Sequence, residues 1–227
     1  MGATASHSIL SFDLDGTLVD TAGEIAEAAN RTIEEFGLPR SPVAAITNLI
    51  GAGTRELMLG LLRETAAEPG ADRAIDKEAV LRRFVHHYAA TAGTTSRPYP
   101  RALDAIERLR AAGVRLACVT NKEERYSKSV LAACGMQDVF DLLIAGDSLA
   151  FKKPDGRVLA HVIATLGGAR ESTAHVGDSR TDVDAARNAG VAAWAVPYGY
   201  NRGEPIESAH PDRLFSDLGE VADHVLG

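Results

Sequence analysis

The chain has 227 residues, 45% hydrophobic and 24% charged, with 21 Gly against 9 Pro, which supports a buried core and excludes a stapled miniprotein, a coiled coil and a disordered or collagen-like chain. Its 24 basic and 31 acidic residues leave a formal charge of −7, and no basic cluster exceeds Lys152-Lys153, so neither nucleic acid nor an anionic membrane surface is expected as a partner. No apolar run approaches the roughly 20 residues of a membrane helix, Met1–Ser8 lacks the basic start and apolar core of a signal peptide, and Cys118 and Cys134 form no CxxC pair; a cytoplasmic chain with reduced, buried thiols is expected.

Ile9–Phe12 is a short apolar run that ends abruptly in Asp13-Leu14-Asp15-Gly16-Thr17, the pattern of a buried strand delivering a loop. From Thr21 to about Thr95 no strand is evident. Amphipathic segments follow one another there, marked by Ile25, Ala29, Ile33 and Phe36, by Leu57, Leu61 and Leu62, and by Val80, Leu81, Phe84, Val85 and Tyr88. Thr17–Asp20 and Thr94–Pro100 read as the outgoing and returning linkers of this helical insertion. Beyond it, strand-like runs at Val114–Thr120, Leu142–Ala145, Ala174–Val176, Val191–Val196 and, more weakly, Arg213–Ser216 alternate with helical stripes. One stripe is Leu103, Ile106 and Leu109 before Gly113; another is Val158, Leu159, Val162, Ile163 and Leu166 before Gly167-Gly168. Such alternation predicts an α/β fold, a doubly wound, mainly parallel Rossmann-like sheet with an inserted all-helical cap.

Chemistry collects where strands end. Alternation along a strand puts Asp13 and Asp15 on one face. Two close carboxylates repel, so one is protonated or a cation lies between them. Both conditions suit phosphoryl transfer, in which an ionised carboxylate attacks phosphorus and a protonated one supplies the leaving oxygen with its proton. A second acidic strand end follows at Gly177-Asp178-Ser179-Arg180-Thr181-Asp182. Ligands gather at the carboxyl ends of strands in open α/β sheets, so Asp13, Asp15, Asp178 and Asp182 are expected around one crevice. Carboxylates massed near a phosphate require a cation, and hard oxygen donors select Mg²⁺. Asp178 is the expected ligand, and Asp182, near Ser179 and Thr181, the supporting acid of a helix start. Thr120-Asn121 offers a hydroxyl and an amide to phosphate oxygens. Lys152-Lys153-Pro154 presents an ammonium suited to pinning a phosphoryl group against a carboxylate. His86-His87, about 100° apart on a helix, make a poor metal pair, and His175 reads as a packed strand residue.

Taken together and in this order, DxDGT at Asp13–Thr17, Thr120 with Asn121, Lys153-Pro154 and GDSxTD at Gly177–Asp182 resemble the motifs of the haloacid dehalogenase superfamily of phosphotransferases, over nearly the whole chain. The resemblance implies Asp13 as the nucleophile forming an aspartyl-phosphate, with Asp15 as general acid and then base. It implies Mg²⁺ held by the Asp13 and Asp178 carboxylates and the Asp15 carbonyl. Thr120, Asn121 and Gly16 would grip phosphate, and Lys153 would neutralise charge. The helical insertion resembles the family's mobile cap, giving a body of residues 1–19 and 96–227 and a cap of 20–95. An Asp at position 15 favours phosphate esters over carbon–halogen or carbon–phosphorus bonds. Gly199-Tyr200-Asn201-Arg202-Gly203-Glu204 and Ile50-Gly51-Ala52-Gly53 are similar to segments of bacterial phosphoglycolate phosphatases. That likeness implies 2-phosphoglycolate as substrate. Of Arg55 and Arg63 in the insertion, the cation suited to reading its carboxylate is expected to be Arg55, which follows the glycine loop.

Gly156 departs from many relatives, which carry Pro there, and is expected to loosen the Lys-Pro turn. A mutase resembling β-phosphoglucomutase, a pyrophosphatase, a broad sugar-phosphate phosphatase and a phospho-ligand sensor remain alternatives. The partner is expected to be a small phosphorylated metabolite, and the assembly a monomer or homodimer.

Overall fold

The apolar runs that end in acids become the middle of a sheet. In the computed structural model, the described residues are 6–66 and 75–227; positions 1–5 of the expected body and 67–74 of the expected cap lie outside them. Chain order is β1 (Ile9–Phe12), β2 (Val19–Asp20), α1 (Ala22–Glu35), α2 (Val43–Thr47), α3 (Thr54–Ala66), α4 (Lys77–Thr91), β3 (Arg97–Pro98) and α5 (Ala102–Ala111). There follow β4 (Arg115–Val119), α6 (Glu124–Ala133), β5 (Leu142–Ile144), α7 (Arg157–Leu166), β6 (Thr173–Gly177), α8 (Arg180–Ala189), β7 (Ala192–Ala195), β8 (Arg213–Leu214) and α9 (Leu218–Leu226).

Six of these strands pair in the order β5-β4-β1-β6-β7-β8, all parallel. Side chains alternate across the sheet with period two. Leu10, Phe12, Leu116, Cys118, Val176 and Trp194 face one core with α5, α6 and α9. Ile9, Ala117, Val119, Ile144, Ala193 and Ala195 face the other with α7 and α8. The expected doubly wound α/β fold is therefore present. Strand order reverses beside β1, so β4, β1 and β6 open their carboxyl ends into one crevice, the usual ligand position of such sheets.

Helix α5 departs in detail from the sequence pattern: Leu103 is exposed, and Ala102 and Ala105 join Ile106 and Leu109 on the buried face.

Helices α1–α4 enclose a third core of Ile25, Ala29, Ile33, Ile46, Met58, Leu61, Val80, Phe84 and Tyr88, which Tyr126 and Tyr200 join from outside the insertion. The linkers carry order that the sequence pattern did not indicate. They pair antiparallel as β2 and β3, Val19 opposite Pro98 and Asp20 opposite Arg97. On α1, the buried Glu24 accepts at Oε2 from the Gly93 N–H at 2.9 Å, the Ser96 N–H at 3.1 Å and the Ser96 hydroxyl at 2.7 Å. One carboxylate oxygen thus fastens the returning chain to the departing one.

Candidate active site

Asp13 stands at the end of β1, where its N–H still bonds the Val176 carbonyl of β6 at 2.9 Å. One of its oxygens, Oδ1, accepts from the Leu14 N–H at 2.7 Å and lies 2.8 Å from the Lys153 ammonium. The other, Oδ2, makes no hydrogen bond among the described residues. Burial, opposed in part by Lys153, pushes the Asp13 carboxyl up to about 7. Lys153 also lies 2.6 Å from Asp182 Oδ1, and against the effect of burial these two carboxylates hold its ammonium above the ordinary lysine range. Lys152 is placed differently. Its exposed ammonium donates to the Ala52 carbonyl at 2.8 Å, so Lys153 is the lysine that meets Asp13.

Asp182 is saturated. Its Oδ1 takes Lys153 and His175 Nε2, and its Oδ2 takes the N–H and hydroxyl of Ser179 in a capping box at the start of α8. Against burial, Lys153 and His175 hold Asp182 below the usual carboxylate range. His175 is more than a packed strand residue, since it also bonds the Ser11 hydroxyl through Nδ1 at 2.9 Å; burial lowers its pKa.

Asp178 follows β6 and is likewise buried, accepting from the Thr17 hydroxyl at 2.8 Å and from the Tyr200 N–H. Burial, with the charges of Asp182 and Asp13, raises its pKa well above the ordinary value. Among the described residues no cation pairs with it. Carboxylate oxygens of Asp13, Asp178 and Asp182 lie within 4.8 Å of one another. With Lys153 bound to Asp182 and one side of Asp13, the uncompensated charge falls between Asp13 and Asp178. This hard-oxygen cluster fits a divalent cation.

Asp15 reaches the same cavity, and its Oδ1 accepts from the Thr21 hydroxyl at 2.6 Å and the Lys122 ammonium at 2.7 Å. The cavity, about 30 Å³, is lined by Asp13, Asp15, Thr120, Asn121 and Lys122 from the sheet side and by residues of the helical insertion.

Three residues expected to contact phosphate or substrate have their donor groups engaged within the protein. Gly16 directs its N–H to the Val19 carbonyl at 3.0 Å. A Cβ there would stand 2.3 Å from Asp178 Oδ2, and φ is +86°, so glycine is needed for the backbone to pass the carboxylate. Asn121 lines the cavity but donates both amide hydrogens to carbonyls, of Gly51 and Lys153, each at 3.0 Å. It ties the glycine loop to the lysine loop, leaving Oδ1 buried and unpartnered. Arg55 is on the surface and pairs with Glu78 at 2.8 Å. The first residue of its helix, Thr54, points its hydroxyl to Glu123 instead, and Arg55 is one position further round, outside the cavity lining.

The expected loosening at Gly156 is also not found. A Cβ there would lie 2.4 Å from the Asn188 carbonyl carbon and 2.6 Å from the Ala189 nitrogen. Glycine lets the lysine loop pack directly on the backbone of α8.

Lys122, Tyr88 and Thr21 were not expected at the site from the sequence. Lys122 had a usable signal: it directly follows Thr120-Asn121 at a strand end, where a side chain turns into the crevice.

Residues 10–196 match the model of the haloacid dehalogenase-like hydrolase family. The chain belongs to that family. A phosphoglycolate phosphatase of Thiobacillus denitrificans is 36% identical over 92% of each chain, and one of Agrobacterium fabrum is 39% identical over 92% of this chain and 88% of its own. Among solved structures, a predicted phosphoglycolate phosphatase from Haemophilus somnus superposes with a TM-score of 0.93 at 29% identity, covering 97% of this chain and 99% of the other. CbbY from Rhodobacter sphaeroides, in complex with phosphate, gives 0.78 at 25% identity over 95% and 96%. As a haloacid dehalogenase-like hydrolase the protein is an enzyme, and the Thiobacillus and Agrobacterium relatives are phosphatases. Among the described residues no helix is long and apolar enough to cross a membrane.

Proposed function

We propose that the protein is a Mg²⁺-dependent phosphatase that hydrolyses 2-phosphoglycolate through an aspartyl-phosphate, the acyl phosphate of Asp13. The observation that carries the reading is the asymmetry of Asp13, one oxygen engaged by Lys153 and the other without a partner beside the cavity. Oδ2 attacks phosphorus while the bond to the glycolate oxygen breaks, and Asp15 gives that oxygen its proton. A water then attacks the phosphorylated Asp13, losing its proton to Asp15, and phosphate leaves with Asp13 restored. Thr120 presents its hydroxyl to the phosphoryl oxygens, and Lys153 balances charge on the Asp13 side. The Asp13 and Asp178 carboxylates and the Asp15 carbonyl would hold Mg²⁺, which when bound neutralises phosphoryl charge. Residues 20–95 act as a cap over a body of 1–19 and 96–227, with the β2–β3 ribbon as their junction. A cavity of about 30 Å³, with room for a few waters, favours a small substrate admitted by cap opening.

The test is phosphate release, with Mg²⁺, from 2-phosphoglycolate, pyrophosphate, β-glucose 1-phosphate and several sugar and nucleotide monophosphates. A kcat/KM preference for 2-phosphoglycolate is expected, with Asp13→Asn lowering turnover at least ~10⁴-fold in a protein that still folds. A flat profile rejects the substrate, and retained turnover in Asp13→Asn rejects the nucleophile.

A further inference from the structure

Lys122 is 3% exposed and stands where body and helical insertion meet. Its ammonium lies 2.7 Å from Asp15 Oδ1, donates to the Tyr88 hydroxyl of α4, and sits 5.0 Å from the centre of the Tyr88 ring. Among the described residues that line the cavity, no other carries a positive charge. Lys153 lies behind Asp13 and Asp182 and is absent from that lining. The remaining insertion-side lining is apolar or hydroxylic, with Ile25, Ile50, Leu57 and Thr54.

A buried ammonium beside a cavity needs anionic partners. Asp15 supplies one while it is ionised and withdraws it when it carries the proton for the ester oxygen, and Tyr88, kept neutral by burial, supplies a dipole. An anion entering from the cavity would supply another. We propose that Lys122 is the residue that reads the carboxylate of the substrate, steadied from the cap by Tyr88, and that it fills the place the sequence suggested for Arg55. This rests on the phosphatase reading above. In that reading Asp15 acts on the ester oxygen, and in 2-phosphoglycolate the carboxylate carbon lies two bonds beyond that oxygen. The cation in contact with Asp15 is therefore the one within reach of the carboxylate. Arg55, paired with Glu78 at the surface, is not.

The experiment compares kcat/KM for 2-phosphoglycolate with that for ethyl phosphate, which has the same two-carbon skeleton and no carboxylate. It is run on the unmodified enzyme, Lys122→Met, Tyr88→Phe and Arg55→Ala. The unmodified enzyme prefers the carboxylated ester, and Lys122→Met lowers the ratio about 100-fold, as expected for loss of a desolvated charge contact. Tyr88→Phe, which preserves the buried ring, lowers it several-fold, chiefly through KM. A ratio unchanged in Lys122→Met, even with both rates reduced, overturns the inference and leaves Lys122 as a support for Asp15. So does a ratio lost in Arg55→Ala and kept in Lys122→Met. If Lys122→Met does not fold, an intact ratio in Tyr88→Phe overturns it. An unmodified enzyme with equal kcat/KM for the two esters overturns the substrate reading and this inference together.

Discussion

At the scale of single residues, the two adjacent lysines separate a buried electrostatic role from a surface contact. Lys153 is enclosed with two carboxylates at 2.8 and 2.6 Å, so removing its charge leaves both acids buried and uncompensated. Lys153→Met is expected to lose about 3–5 kcal/mol of stability and roughly 10²–10³-fold in turnover. Urea unfolding at unchanged slope and steady-state rates would measure the two effects. Lys152→Ala removes one exposed bond to a carbonyl, and its stability should change by no more than about 0.5 kcal/mol. If Lys152→Ala proves the more damaging of the two, the assignment of Lys153 is wrong. Residue types at strand ends made Asp13, Asp15, Asp178, Thr120 and the lysine pair legible, because clustered carboxylates in a crevice have few chemical uses. Side-chain direction was not legible. Asn121 turns both amide hydrogens to carbonyls and Arg55 turns to Glu78, choices made by neighbours distant in sequence. Lys122 went unremarked because its partners, Asp15 and Tyr88, are 107 and 34 positions away.

At the scale of elements, the strands of the large sheet were legible because buried parallel strands are short continuous apolar runs, and the helices because their stripes repeat. The β2–β3 ribbon was not. Two residues per strand show no period, and Pro98 argues against a strand wherever its partner is unknown. Gly156 shows a related limit, since a glycine chosen for close approach and one chosen for flexibility are the same letter. The two accounts predict opposite results for Gly156→Ala. A loosening glycine with an ordinary helical φ of −63° would give an alanine variant about 0.4–1 kcal/mol more stable, through the unfolded chain. A Cβ 2.4 Å from the backbone of Asn188 instead requires the lysine loop or α8 to shift, with an expected loss of about 1–3 kcal/mol. Because that loop carries Lys153, turnover should fall with stability. Chemical denaturation of the alanine variant decides between the two accounts, and a gain in stability would show that the contact yields easily.

For the whole molecule, the buried carboxylates at the strand ends set the sign of the pH dependence. In the metal-free protein, burial raises Asp13 to about 7 and Asp178 well above its ordinary value. Between about pH 4 and about pH 7 the folded chain therefore holds protons that the unfolded chain has released, and its stability falls as pH rises through that window. Asp182 has the opposite sign. Its lowered pKa contributes stability above the unfolded value that is lost in stronger acid, so metal-free stability should be greatest near the lower edge of the window. A divalent cation held between Asp13 and Asp178, as proposed, would bind the ionised folded form and not the unfolded chain, which would add stability as its concentration exceeds Kd. Thermal melts in chelator should thus show Tm declining from roughly pH 5 to 7, and Mg²⁺ should raise Tm more at the upper end, where it does not compete with protons. Asp178→Asn, which keeps the acceptor for Thr17 and removes the charge, should flatten the decline and abolish most of the Mg²⁺ shift. A Tm that does not fall in chelator would mean that these carboxylates are ionised without a metal, and a Mg²⁺ shift that persists unchanged in Asp178→Asn would mean that the cluster is not its site.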